Sequence, residues 1–424
     1  MKRILALVLC LVTVLLLVAC AKAPAETTAP STEAVPESTG PIDDYPYPKV
    51  TEKLTWDAIN AFPIKTSDMT IAEMRQLCVD FFRFEKSFLW ISNSDLKYPY
   101  TKSDKIDEVT KGTVYGGLPY ITVGSGNVYR LMDYINEETG VVDIKRAASV
   151  PTLFGNQCSG AAYWAWGRVI NSANYGYTNT FVARNGFIKV GPYTYDENIA
   201  QFELGTDTIN ICKTNGEQIM FQSYAMLQPA DGLVQWTTAG HVIMCTSVPH
   251  VEYKNNGEID GEKSYITICE QSTKWQEGTN ASGDTYLYKV SHDQQKTFAS
   301  LFKGSYIPFT FAEFLGTDPV EETECTFSHT GSTITTKELF ASTITSNYGI
   351  CDAYASIKDS TGKEVYRHAV RIKATGEKEL AFTRAGNVDK WGTLDVSNGE
   401  FTVEVTCQLA TGERPVIYSG KIIP

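Results

Sequence analysis

The 424-residue sequence has no CxxC pair, only 5 histidines and no apolar run long enough to cross a bilayer comfortably as a helix. The first absence removes the commonest thiol-redox and paired-cysteine zinc patterns. The second leaves little for metal binding: His250, His292, His329 and His368 show no ligand spacing and read as surface or structural residues. No metal or other cofactor is therefore expected. Basic residues are also scarce, 37 Lys and Arg against 49 Asp and Glu, a formal charge of −12. That balance excludes nucleic acid as a natural partner, and net charge does not draw the chain to an anionic surface. No internal repeat is visible.

What is present begins at the N-terminus. Lys2 and Arg3 precede an apolar stretch, Ile4 to Leu16, which ends in Leu17-Val18-Ala19-Cys20. This order has the form of a secretory signal, and its last four residues resemble the bacterial lipobox, in which the cysteine is lipidated and becomes the new N-terminus. The alternative is an ordinary signal with an incidental cysteine. With Cys20 acylated, each buried CH₂ contributes about 0.8 kcal/mol of membrane affinity. Residues 21–48 are rich in Ala, Pro, Thr, Ser and Glu and poor in large apolar side chains. Such a segment buries too little to offset its ordering entropy and reads as a disordered tether. The chain thus divides into a signal (1–20), a tether (21–48), a first folded part (49–320) and a second (321–424). The expected location is extracytoplasmic, with a lipid anchor in the membrane.

Outside the cytoplasm an even cysteine set often means disulfides. Of the 10 cysteines, Cys10 leaves with the signal and Cys20 carries lipid. If Cys158 is a free nucleophile, at least one of the others is unpaired. Cys351 and Cys407 are placed either to pair with each other or to remain reduced in a core.

In the first folded part, Ile71, Met74, Leu77, Phe81 and Phe82 recur at helical spacing. Thr70 and Glu73 form a capping-box pattern, which predicts a helix over Thr70–Phe88. A Tyr-, Pro- and Gly-rich stretch, Tyr98 to Tyr120, precedes a predicted helix over Asn127–Asn136. From Ser159 to Ile170 only Ser159 and Arg168 are clearly polar, so that helix is apolar on nearly all faces and belongs at the centre. Leu227–Trp236 reads as a turn feeding a strand, and further strands are predicted at His241–Cys245 and at Ser264–Ser272. Between the last two lies a polar hairpin tip, Tyr253–Lys263, whose Asn255–Glu262 portion lacks the acidic spacing of a calcium loop. Together these predict a central helix on a small antiparallel sheet, an α+β fold. In the second part, Cys351, Ala353, Ala355 and Ile357, and again Phe401, Val403, Val405 and Cys407, alternate with polar residues, as in a β-sandwich of immunoglobulin-like type.

The chemistry-bearing residues run Cys158, His241, Glu270. Cys158 stands where a Gly- and Asn-containing loop turns into the apolar helix. There the helix dipole and unpaired amides favour a thiolate and can hold an oxyanion. His241 opens a buried strand after Gly240 and is placed to take the thiol proton and return it to a leaving amine. Two residues are candidates to fix the imidazole: Glu270 first, and Gln271, on the opposite strand face, second. Gln157, Ser159 and Tyr115 are the candidates for oxyanion or substrate contacts.

Asn156-Gln157-Cys158-Ser159-Gly160, Gln228-Pro229-Ala230-Asp231, Gly240-His241-Val242 and Ile268-Cys269-Glu270-Gln271 together resemble the papain-like cell-wall hydrolases, over residues 110 to 275. The Cys-Ser-Gly run and the Gln-Pro-Ala-Asp turn are similar to the NlpC-type peptidases, whose tyrosine-bearing upstream segment Tyr115-Gly116-Gly117 resembles. Gln157 and the Glu-Gln strand are similar to the CHAP amidases. The chain departs from the first at Gln157, where those enzymes carry Asp. It departs from the second at Ser272, where those carry Asn. The resemblance implies a papain-like domain and a cysteine peptidase or amidase cutting amide bonds in peptidoglycan peptides. Two other readings stay open: a transglutaminase-like acyl transferase, and a non-catalytic lipoprotein that binds wall glycan or a protein partner.

Overall fold

The computed structural model describes residues 45–99, 106–122, 126–149, 155–173, 177–372, 375–383 and 388–424. The signal, Cys20 and most of the tether lie outside the described residues. The described chain is a mixed α+β structure forming one compact unit.

Its first helix, Ile71–Ser87, begins with the capping box: the Thr70 hydroxyl accepts from the Glu73 amide at 3.2 Å, and the Glu73 carboxylate accepts from the Thr70 amide at 2.8 Å. Met74, Leu77, Phe81 and Phe82 are buried on its inner face. The helix Cys158–Trp166 packs between Ile71–Ser87 and the strands Gly240–Cys245 and Tyr265–Thr279. Every one of its residues is buried, as a helix apolar all round requires. The predicted Asn127–Asn136 helix is only one turn long, Val128–Leu131, capped by the Asn127 side chain. Arg130 and Asp133, on either side of its end, form ion pairs with the C-terminal part, described below.

The predicted small antiparallel sheet is larger than its motif. It has nine strands, in the order Val141–Val142, Leu89–Ser92, Val114–Gly116, Thr285–Thr297, Tyr265–Thr279, Gly240–Cys245, Gly232–Trp236, Ile307–Thr310 and Ile188–Lys189. Two pairings are parallel, Val141–Val142 on Leu89–Ser92 and Val114–Gly116 on Thr285–Thr297. The hairpin of Tyr265–Thr279 and Thr285–Thr297 explains the size, because strands of 15 and 13 residues overrun the central helix and recruit further strands at their far end.

The C-terminal part forms a six-stranded sheet, in the order Thr333–Thr335, Val416–Ile423, Phe401–Leu409, Ile350–Lys358, Glu364–Arg371 and Val388–Gly392, and a three-stranded sheet of Cys325–Phe327, Thr343–Ser346 and Glu379–Ala381. Phe327 of the smaller sheet meets Tyr418 of the larger at a ring separation of 5.2 Å. Among the described residues no strand pairing links these sheets to the nine-stranded one, yet a single apolar core runs through both parts. Arg130 donates from Nε to Asp352 at 2.8 Å with both side chains fully buried, and Arg371 pairs with Asp133. A Cβ on Gly167, at the end of the central helix, would stand 2.8 Å from the Ala410 Cβ, so only glycine permits that approach.

Candidate active site

The loop before Cys158 is fixed by its backbone. The Asn156 amide donates to the Pro119 carbonyl at 3.1 Å and the Ile121 amide to the Asn156 carbonyl at 2.9 Å. A Cβ on Gly155 would stand 2.4 Å from the Pro119 oxygen, which explains the glycine. Gln157 is the N-cap residue, in an extended conformation and with no side-chain cap bond. The first bond of the helix runs from the Ala161 amide to the Gln157 carbonyl. The amides of Cys158, Ser159 and Gly160 therefore have no acceptor within the helix, and the positive end of its dipole surrounds the thiol.

His241 is presented from the opposite side. Its strand and Tyr265–Thr279 pair only at Met244 with Cys269 and at Cys245 with Ile268. Beyond that point the strands part, and the helix terminus meets them there. His241 Nε2 lies 2.6 Å from Glu270 Oε2. Nδ1 is then the ring nitrogen left for Cys158, and the thiol and imidazole each favour the other's charged form. Val242 and Thr178 also favour the anionic form of the Cys158 sulfur. Lys296 Nζ stands 3.4 Å from the second oxygen of Glu270.

These contacts decide the charges. Burial alone would push the Cys158 thiol up. The hydrogen bond and charge of His241, helped by Val242 and Thr178, outweigh it and hold the thiol below its ordinary value. Burial would lower the imidazole, but its bonds to Cys158 and Glu270 raise it to about 10. Burial raises Glu270, and His241 and Lys296 more than reverse that, keeping it an anion. These directions favour a thiolate–imidazolium pair with a carboxylate behind it, an arrangement suited to attacking a carbonyl and protonating a leaving group.

The sequence candidates fare differently. Cys158, His241 and Glu270 come together. Gln271, the second choice for the imidazole partner, does not: its side chain is fully buried on the other strand face, accepting from Lys86 Nζ and donating to the Leu118 carbonyl at 2.9 Å. Tyr115 stands apart from the thiol, its hydroxyl accepting from the Thr110 amide at 2.8 Å and its ring stacked on Trp90. Ser159 is buried in the first helical turn. Asp231, in the Gln-Pro-Ala-Asp turn, pairs with Arg75 at 2.7 Å and accepts from the Gln228 amide at 2.8 Å, a bracing role. His250 stacks on Tyr265, His329 lies against Tyr418, and buried His368, lowered to about 4 by desolvation, packs between Phe340 and Phe382.

Sequence reasoning missed Thr178, Lys296 and Tyr306. Burial first, then the nearby charges of Glu270 and Cys158, raise the Tyr306 phenol. No motif marks these three, since each arrives from a distant segment by tertiary folding. The eight described cysteines, Cys351 and Cys407 among them, are all free thiols. Among the described residues no group of three or more His, Cys, Asp or Glu is arranged to hold a metal ion, and no helix is long and apolar enough to cross a membrane. No family model, no curated protein and no solved structure matches the chain.

Proposed function

We propose that the chain is a lipid-anchored, extracytoplasmic cysteine hydrolase that cleaves amide bonds in peptidoglycan peptides. One observation carries the reading: Cys158 stands at a helix N-terminus beside His241, which favours its thiolate, and His241 Nε2 lies 2.6 Å from Glu270. The unpaired first-turn amides favour acyl chemistry, because they can receive the negative oxygen of a tetrahedral intermediate. The helix between Ile71–Ser87 and the parted strands supports a papain-like architecture for residues 49–320. The two facing sheets after residue 321 support an immunoglobulin-like sandwich. The signal sequence and Cys20 support secretion and lipidation, and the peptidoglycan substrate follows from the motif resemblance.

In the proposed reaction the thiolate forms a C–S bond to the scissile carbonyl carbon and the carbonyl π pair moves to oxygen. The C–N bond then breaks as the His241 proton passes to the departing nitrogen, and water hydrolyses the thioester with His241 as base. The test is release of free amino groups from purified peptidoglycan by the full-length protein. Wild type is expected to release them and folded Cys158→Ala to release none; equal release by both overturns the assignment. The deep placement of Cys158, 3% exposed, favours a second reading as a binding lipoprotein. Cosedimentation of the wild type with peptidoglycan without amine release would select it.

A further inference from the structure

Strand register puts one more polar side chain on the face that carries the imidazole. The strands Gly232–Trp236 and Gly240–Cys245 are antiparallel, with Gln235 directly opposite His241 and Trp236 opposite Gly240. Residues paired in this way share a sheet face, with Cβ atoms about 5 Å apart. The Trp236 ring covers the Gly240 side, where an added Cβ would stand 2.0 Å from it, and Gln235 and His241 take the other. His241 bonds to Glu270 on the strand at its far side, so Gln235 borders its open flank. The Gln235 carboxamide has a fixed orientation. Its Oε1 accepts from the Thr237 amide at 3.0 Å and from the Thr237 hydroxyl at 2.7 Å. A backbone amide can only donate, so the oxygen faces Thr237 and Nε2 is turned away from it. Among the described residues nothing accepts from Nε2, although the side chain is half-buried. Tyr306 stands one step beyond the Ile307–Val234 pair, next to Gln235 in register, and its phenol feels the charges of Glu270 and Cys158. Glu270, His241, Gln235 and Tyr306 thus come from four neighbouring segments in succession.

We propose that Gln235 is a substrate-binding residue, its Nε2 donating to a carbonyl oxygen of the peptide on the amine side of the scissile bond. The inference deepens the cysteine-hydrolase reading and rests on it. There the acyl oxygen turns to the amides of the first helical turn, on the Cys158 side, while His241 gives its proton to the departing nitrogen. The amine half of the peptide then lies over His241, and the donor bordering His241 meets that half. A neutral carboxamide suits a peptide carbonyl, because it donates without adding charge beside the thiol and imidazole. The bond forms in the bound substrate and is kept until the amine leaves, so it strengthens binding and changes turnover little.

The experiment measures amine release by the full-length protein from soluble fragments that a muramidase cuts from purified peptidoglycan, over a range of fragment concentrations. Gln235→Glu keeps an acceptor for Thr237 and removes the outward donor. Gln235→Met removes acceptor and donor together and brings no charge. Both should raise KM about tenfold, with kcat changed by less than about threefold. A wild-type KM in either variant overturns the proposal. In Gln235→Glu it would mean that the donor is dispensable and that any defect of Gln235→Met comes from loosening Thr237. In Gln235→Met it would mean that the added charge, not the lost donor, weakens binding in Gln235→Glu. Should methionine unfold the chain, Gln235→Glu alone decides, and an unchanged KM overturns the proposal. A wild type that releases no amines removes the hydrolase reading itself, and this inference with it, so the two failures are distinguishable.

Discussion

Replacing Glu270 by Gln keeps the shape behind the imidazole and deletes the charge. In the native site His241 holds its proton up to about 10, against 6.5 for a free imidazole. At about 1.4 kcal/mol per pH unit that difference of 3.5 units corresponds to roughly 5 kcal/mol of net coupling, shared between Cys158 and Glu270 and reduced by burial. A charge-assisted hydrogen bond contributes about 1.5–3 kcal/mol. Glu270→Gln is therefore expected to lower the His241 titration by about one to two units and to raise that of Cys158. With 5 histidines in the chain, labelled imidazole signals can be followed individually by NMR. His368, lowered to about 4, serves as an internal reference far from the change. The sign also reaches stability. A group raised in the folded state stabilises fully below its free value, here 6.5, and that contribution fades as pH climbs through about 10. The variant should lose stability at neutral pH and converge on wild type above pH 10. Turnover should fall more than substrate affinity. An unshifted His241 signal in folded Glu270→Gln would refute the reasoning and remove Glu270 from the site.

Two further outcomes concern the scaffold. Arg130→Met strips Asp352 of a buried partner, so urea denaturation should show a loss of about 3–5 kcal/mol, and an unchanged midpoint would refute the pairing's importance. Glu85 is fully buried with no hydrogen bond to either carboxylate oxygen, and desolvation raises it to about 8 from 4.5, against the pull of Lys86 and Arg168. The native state then binds more protons than the unfolded one between those values, so this group makes stability fall as pH rises from about 4.5 to about 8. Glu85→Gln should raise the thermal midpoint at pH 8 and change it little at pH 4; equal effects at both would contradict the assignment.

How much was legible beforehand depended on the range of the interaction. The Ile71–Ser87 helix announced itself through local chemistry, the Thr70–Glu73 box and a repeating apolar face, and its start lies within a residue of the prediction. The central helix was readable because an all-apolar segment has no surface to show. Cys158 and His241 stood out because each follows a glycine-bearing turn into a buried element. The choice of Glu270 over Gln271 needed strand alternation, and the structure gives each a different face. Thr178, Lys296 and Tyr306 left no trace in the sequence, since their roles depend on which segments folding brings to the thiol. Nor could the sequence show that Arg130 and Asp133, in the predicted Asn127–Asn136 helix, pair with residues more than 200 positions away.

The close approach of Gly167 to Ala410 has a bearing on how such a chain can vary. A module joined by a flexible linker can be lost, duplicated or exchanged while the chemistry next to it continues. Here the helix that begins with Cys158 ends against the last sheet, and a buried Arg–Asp pair is shared across the same boundary. Cutting the chain near residue 321 would leave that helix with a bare apolar flank and take Asp352 from Arg130. The C-terminal sheets are in this sense the back wall of the helix that carries Cys158.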